Sequence, residues 1–123
     1  MGRSRTPARR VAALLLAAWL PAFAGGAPAE EGIAAFYAGR FEGRRTANGE
    51  RYDGRKLTCA HRTQPFGALL EVSDVDTGRS VRVRVNDRGP HTKGRVVDLS
   101  RAAAEALGMV RRGAARVRVV RVE

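Results

Sequence analysis

The chain has 123 residues, 23 Lys and Arg against 12 Asp and Glu, a formal charge of +11 and one cysteine. That length holds one domain, a single thiol excludes an intramolecular disulfide, and one Cys with two His offers no metal-ligand spacing, so neither metal nor other cofactor is expected. A basic balance raises nucleic acid as a partner, but no Lys/Arg cluster interleaves with aromatics, so none is expected here.

The first 24 residues have the layout of a secretory signal peptide. Arg3, Arg5, Arg9 and Arg10 form a basic start, Val11 to Leu20 is an apolar core, and Ala22-Phe23-Ala24 offers small residues at both positions of a cleavage site. The uncharged stretch runs on to Ala29, but Pro21, Gly25-Gly26 and Pro28 interrupt it, so no stable membrane span is expected. No cysteine lies near enough to carry a lipid anchor. The expected product is an exported, soluble, monomeric protein of the periplasm or cell envelope, with residues 25–31 as a short lead into a domain over 32–123. Removing residues 1–24 lowers the charge to +7. The remaining basic surface either keeps the protein solvated or attracts anionic envelope polymers.

Gly32 to Tyr37 (GIAAFY) reads as the first strand. Ala38 to Lys56 shows no periodicity and reads as a long loop, of a length that in a compact domain tends to be functional. Its glycines lack the Lys-Ser/Thr of a phosphate loop. Leu57 to Ala60 is a short apolar run, Ala68 to Val75 a strand, and Asp76 to Arg79 a hairpin turn. Ser80 to Val85 is the partner strand, with Val81, Val83 and Val85 inward and Arg82 and Arg84 outward. Val96 to Leu99 is another strand. Ser100 has the chemistry of an N-cap for a helix over Arg101 to Leu107 that Gly108 ends. Ala115 to Val122 is the last strand. About six short strands and one short helix predict an all-β domain, a small barrel or sandwich.

Chemistry falls to the carboxylates. Asp53, Asp74, Asp76 and Glu105 occupy expected turns or a helix face, where solvated acids are the default. Asp98 precedes the helix and suggests a capping residue. Asp87 follows Val81, Val83 and Val85 on one face, at the rim of the core. A carboxylate there either pairs with an arginine as structural glue or, desolvated, works as an acid. Cys59, in the apolar context of Leu57-Thr58-Cys59-Ala60, reads as a buried structural residue.

Four segments carry a resemblance. TANGERYD (Thr46 to Asp53), LTCAHRTQPFG (Leu57 to Gly67), VRVNDRGP (Val83 to Pro90) and GRVVDLS (Gly94 to Ser100) match, in order and spacing, the rare lipoprotein A family, and the likeness extends over Gly32 to Glu123. It implies a six-stranded double-psi β-barrel with one short helix. It also implies an endolytic lytic transglycosylase that cuts stem-peptide-free peptidoglycan glycan strands between N-acetylmuramic acid and N-acetylglucosamine, leaving 1,6-anhydro-muramoyl ends. Asp87, Glu50 and His61 correspond to the family's essential residues. Asp87 then suits the acid–base role if burial and a nearby Glu50 favour its protonated form. Tyr37, Asn48 and Asn86 offer a ring face and amides to sugars, and Arg88 a cation to a lactyl carboxylate or developing charge. Phe36 stands where the family commonly has Trp, Ala38 where Gly is common, Cys59 where Ala is common, and Gln64 where an apolar residue is. The alternative is a non-catalytic, expansin-like module that binds peptidoglycan. For the export signal the expected outcome is direct: intact mass of the protein secreted from its host should correspond to a chain beginning near Gly25.

Overall fold

The computed structural model describes residues 28–123, so the proposed signal peptide lies outside the described residues. Six strands form one closed barrel: β1 (Glu30–Phe36), β2 (Thr58–Ala60), β3 (Leu69–Asp74), β4 (Ser80–Asp87), β5 (Arg95–Leu99) and β6 (Ala115–Arg121), in the order β1-β5-β2-β4-β3-β6. The pairs β1/β5 and β2/β4 are parallel and the other four antiparallel. Closure leaves no unpaired edge, which matters for a domain with no disulfide to brace it.

Alternation sets what faces inward. Leu70 and Val72 of β3, Val81, Val83 and Val85 of β4, and Val117 and Val119 of β6 fill the interior, while Arg82, Arg116 and Arg118 stay in solvent. Val97 and Leu99 of β5 and Ala34 of β1 complete that core. β1 and β5 approach so closely at Gly32 that an added Cβ would overlap Val96 Cγ1. Among the described residues one α-helix, α1 (Arg101–Leu107), lies across β4 and buries Ala103, Ala104 and Leu107. The Ser100 hydroxyl accepts from the Ala103 amide, and Gly108, at φ 75°, closes the other end. No described helix is long and apolar enough to cross a membrane.

Two expectations need correction. β4 does not stop at Val85 but runs on through Asn86 and Asp87, because Asp87 still pairs with Ala60 of β2 across an irregularity in the register. Asp74 is not a solvated turn acid. It continues the inward alternation of Leu70 and Val72, and at 1% exposure it accepts from the Asp76 and Thr77 amides (2.8 and 3.1 Å) and from Arg112 (2.6 Å). Burial pushes its carboxyl up, but these donors together outweigh it and hold the pKa below the ordinary carboxylate range. Asp74→Ala leaves two amides and one guanidinium without their acceptor. Urea denaturation at pH 7 should show a loss of about 2–3 kcal/mol.

Candidate active site

Three neighbouring strands build the floor of the site. Ala60 of β2 pairs with Asp87 of β4 on one side and with Asp98 of β5 on the other, so two carboxylates flank one small residue on the same face. They border an open cleft of about 520 Å³, walled by Phe36, Tyr37 and Phe41 and rimmed by Arg40, Arg88 and His91. Asp87 also borders a second cleft of about 180 Å³, reaching toward Arg44, Arg45 and Tyr52. It therefore stands where two stretches of groove meet.

Donors from three separate segments hold the Asp87 carboxylate. The Tyr37 hydroxyl donates to Oδ2 at 2.5 Å, and the amides of Ala47 and Arg88 donate to Oδ1 at 2.8 and 2.9 Å. Tyr37 is itself fixed, stacked on Tyr52 (centroids 4.5 Å apart, 14° between planes) and edge-on to Phe41. Burial first, and then the bond to Asp87, push the Tyr37 hydroxyl well above the ordinary tyrosine range, so it stays a proton donor to that carboxylate. Tyr37 thus spends its hydroxyl on Asp87 and leaves only its ring for other contacts.

Glu50 sits in a different set of contacts. Arg84 grips it with both terminal nitrogens (2.8 and 3.0 Å), and the side-chain amides of Asn86 and Asn48 add bonds of 3.1 and 3.0 Å. The Arg84 bond, then those from Asn86 and Asn48, hold its pKa down at about 2. Among the described residues no hydrogen bond joins Glu50 to Asp87. The link is indirect: the Asn48 amide donates to the Asn86 carbonyl (3.2 Å), and Asn48 Oδ1 accepts from the Thr46 hydroxyl and the Glu50 amide. This knot shapes the turn Thr46–Glu50, where Gly49 takes φ 96°, and so delivers the Ala47 amide to Asp87. The loop over 38–56 has order from side chains and a short 3₁₀ turn at Gly39–Phe41, which periodicity does not report.

His61 is buried, and its ring faces away from the cleft chemistry. Nδ1 accepts from the Thr63 and Gln64 amides, both at 3.1 Å, which places the ring proton on Nε2, 2.8 Å from Glu30. Only its backbone amide reaches Asp87, donating to the carbonyl at 3.2 Å. Arg88 closes the same corner: Nη1 donates to the His61 and Gln64 carbonyls (3.2 and 2.9 Å) and the guanidinium lies 4.0 Å over the Phe66 ring. The structure brings Tyr37 and Asp87 together at the cleft, and makes Glu50, Asn48, Asn86, His61 and Arg88 the frame that positions the loops around them.

Sequence reasoning passed over several residues. Asp98 does not cap α1, since Ser100 does; it pairs with Arg95 at 2.6 Å in the cleft wall. The alternation of β5 carried that signal, because Asp98 falls out of step with buried Val97 and Leu99. Arg84 is half-buried rather than free in solvent, and no spacing rule links it to Glu50, 34 positions away. Cys59 is fully buried, and burial, with Asp98 adding, pushes its thiol up to about 12, so no thiolate is available for attack. Among the described residues no group of three or more His, Cys, Asp or Glu could hold a metal ion.

A family model described as lytic transglycolase matches residues 29–119. The chain is 58% identical over 78 residues to the probable endolytic peptidoglycan transglycosylase RlpA of Synechocystis sp., covering 63% of this chain and 24% of that relative. It spans about a quarter of the length of that curated protein. Among solved structures, the Streptomyces papain inhibitor superposes with a TM-score of 0.65 at 26% identity, over 80% of this chain and 98% of that one. An expansin of Clavibacter michiganensis gives a TM-score of 0.60 at 26% identity, over 78% of this chain and 51% of that one. These neighbours are double-psi β-barrels, and so is this fold.

The depressed Glu50 carboxyl makes the loop clasp acid-sensitive. Its contribution to stability is full above the ordinary value of 4.5 and is lost as pH falls through about 2. Urea melts at pH 5 and pH 2.5 should show a smaller acid-induced loss for Glu50→Gln than for the parent.

Proposed function

On the premise that the chain belongs to the rare lipoprotein A family of lytic transglycosylases, we propose that its barrel cuts peptidoglycan glycan strands without water, leaving 1,6-anhydro-muramoyl ends. The observation that carries this reading is the Asp87 carboxylate, held by three donors at the junction of two clefts on a basic face.

The reaction needs little from the protein. The glycosidic bond from C1 of N-acetylmuramic acid to O4 of N-acetylglucosamine breaks, and the muramoyl 6-hydroxyl ends bonded to C1. One carboxyl can give a proton to departing O4 and later take the one from O6. Asp87 fits this use. Its Oδ1 is filled by two amides, but among the described residues Oδ2 accepts only from Tyr37, which leaves one position on it to carry the proton for O4 and later the one from O6. The Tyr37 hydroxyl, held protonated, pins that oxygen so the open position faces one direction. Phe36 and Phe41 supply apolar walls to sugar rings, and Arg40 and His91 on the rim suit a polymer whose lactyl groups carry free carboxylates once stem peptides are gone. In this reading Glu50 and His61 are positioning residues: one shapes the loop that brings Ala47 to Asp87, the other the corner under Arg88. The protein acts as an exported monomer in the envelope, and needs no cofactor for this chemistry.

A second reading has one specific support. Both Glu50 and His61 spend their side chains on internal bonds, and the fold is shared with an expansin, so the groove could hold glycan without cutting it. Mass spectrometry of denuded sacculi incubated with the purified chain separates the two. Anhydro-muramoyl ends establish the enzyme, and retention on sacculi without them establishes the binder. Asp87→Asn keeps the shape and loses the exchangeable proton. It should fold, keep some retention on denuded glycan, and form anhydro ends at least ~100-fold more slowly.

A further inference from the structure

Asp98 is the one carboxylate of the cleft that the mechanism above leaves unused. It shares the floor with Asp87, since both are the register partners of Ala60. Two strand spacings separate their backbones, about 10 Å, which is room for one sugar ring over the Ala60 methyl. Arg95 holds Oδ1 at 2.6 Å, and among the described residues nothing bonds to Oδ2. The side chain is 23% exposed, and it lines the cleft. A carboxylate clamped by one oxygen and open at the other is oriented toward whatever fills the groove.

The stereochemistry of the reaction creates a place for such a group. The glycan bond is β, and in the anhydro product O6 bridges to C1 on that same face. Departure and arrival on one face amount to net retention, which two displacements deliver, with an intermediate attack from the opposite face. The only nucleophile the sugar has there is the carbonyl oxygen of its own 2-acetamido group. In the first step that oxygen bonds to C1, the C1–O4 bond breaks, and Asp87 gives its proton to O4. The product is a cyclic oxazolinium whose N–H carries positive charge. In the second step O6 bonds to C1, the bond from the acetamido oxygen breaks, and the O6 proton returns to Asp87. Protons balance without any further acceptor, but the cationic N–H needs a partner across the ring from Asp87.

We infer that Asp98 is that partner: a second substrate-contacting carboxylate, clamped by Arg95, whose free oxygen accepts the acetamido N–H and stabilises the oxazolinium charge. The inference rests on the transglycosylase reading and adds the way the substrate takes part in it. Cleavage then requires an N-acylated amino sugar at the scissile position, because the sugar supplies its own nucleophile. Arg95 has a matching duty, holding the carboxylate in place and leaving its outer oxygen free.

The test uses a stable mimic of the intermediate, the thiazoline of N-acetylmuramic acid, with sulfur in place of the ring oxygen and a nitrogen that meets Asp98 as its protonated, cationic form. The parent chain should bind it in titration calorimetry. Asp98→Asn keeps an oxygen for Arg95 but no charge for the N–H, so affinity should fall about tenfold or more. Anhydro-end formation by the same variant should fall ~100-fold. Asp87→Asn should lose turnover yet bind the thiazoline within about threefold of the parent, since its proton is not part of that contact. Where Asp98→Asn disturbs folding, as read by circular dichroism, Asp98→Glu replaces it, with the carboxylate displaced by one methylene and the same loss expected. Parent-like thiazoline affinity in whichever variant folds, or anhydro formation at the parent rate, overturns the assignment, as does a parent chain that does not bind the thiazoline. A parent chain that forms no anhydro ends at all sinks the transglycosylase reading and this one with it; ends formed equally by parent and Asp98→Asn sink this one alone.

Discussion

Three donors from three parts of the chain converge on the carboxylate of Asp87: the Tyr37 hydroxyl just after β1, the Ala47 amide in the long loop, and the Arg88 amide beyond β4. Satisfying one partly buried carboxylate thereby fixes the relative positions of these segments. Each donor is in turn held by something else. Tyr37 is stacked on Tyr52, whose hydroxyl accepts from the Arg101 amide at the start of α1. The Ala47 turn is tied by Glu50 and Asn48, and Arg88 by the carbonyls of His61 and Gln64. A charge at the barrel rim is costly unless paired, so the sequence around it is committed to pairing it.

Arginine does much of this pairing. Arg84 on Glu50 and Arg112 on Asp74 each join two separate segments, and Arg95 on Asp98 braces a single strand, all through a guanidinium at 2.6–3.0 Å. These contacts differ in kind. Glu50 is about two-fifths exposed, so its pair with Arg84 is screened by water and matters for orientation more than for net stability. Asp74 is sealed off, and its donors are required once it is there. The strong bias toward arginine over lysine suits the forked grip of Arg84 on Glu50, which a lysine ammonium could not make.

The groove gains its character from the same economy. The side chains that sequence comparison with a family would put at the chemistry divide in two. Asp87 and Tyr37 face the cleft, whereas His61, Asn48 and Asn86 turn their polar atoms to the protein. A residue can be essential by carrying the proton or by holding a loop within a few tenths of an ångström of where it must be. Loss of either removes function, so essentiality alone does not separate them.

The alternation of Val81, Val83 and Val85, the Ser100 and Gly108 ends of α1, and the hairpin turn over Asp76 to Arg79 are local patterns, set by a period of two or by the chemistry of a chain end. They were legible in the sequence, and with them the all-β class, the single helix and the rim position of Asp87. The family motifs added the barrel. Tertiary structure alone decided the rest. Closure in the order β1-β5-β2-β4-β3-β6 sets β5 and β4 on either side of β2, which brings Asp98 and Asp87 to the two sides of Ala60. It also carries Arg84 to Glu50, Tyr37 to Asp87 and Arg112 to Asp74 across 34, 50 and 38 positions. A period along one strand says which face a side chain takes, but which strand lies beside it is settled by the packing of the whole core and the closing of the sheet.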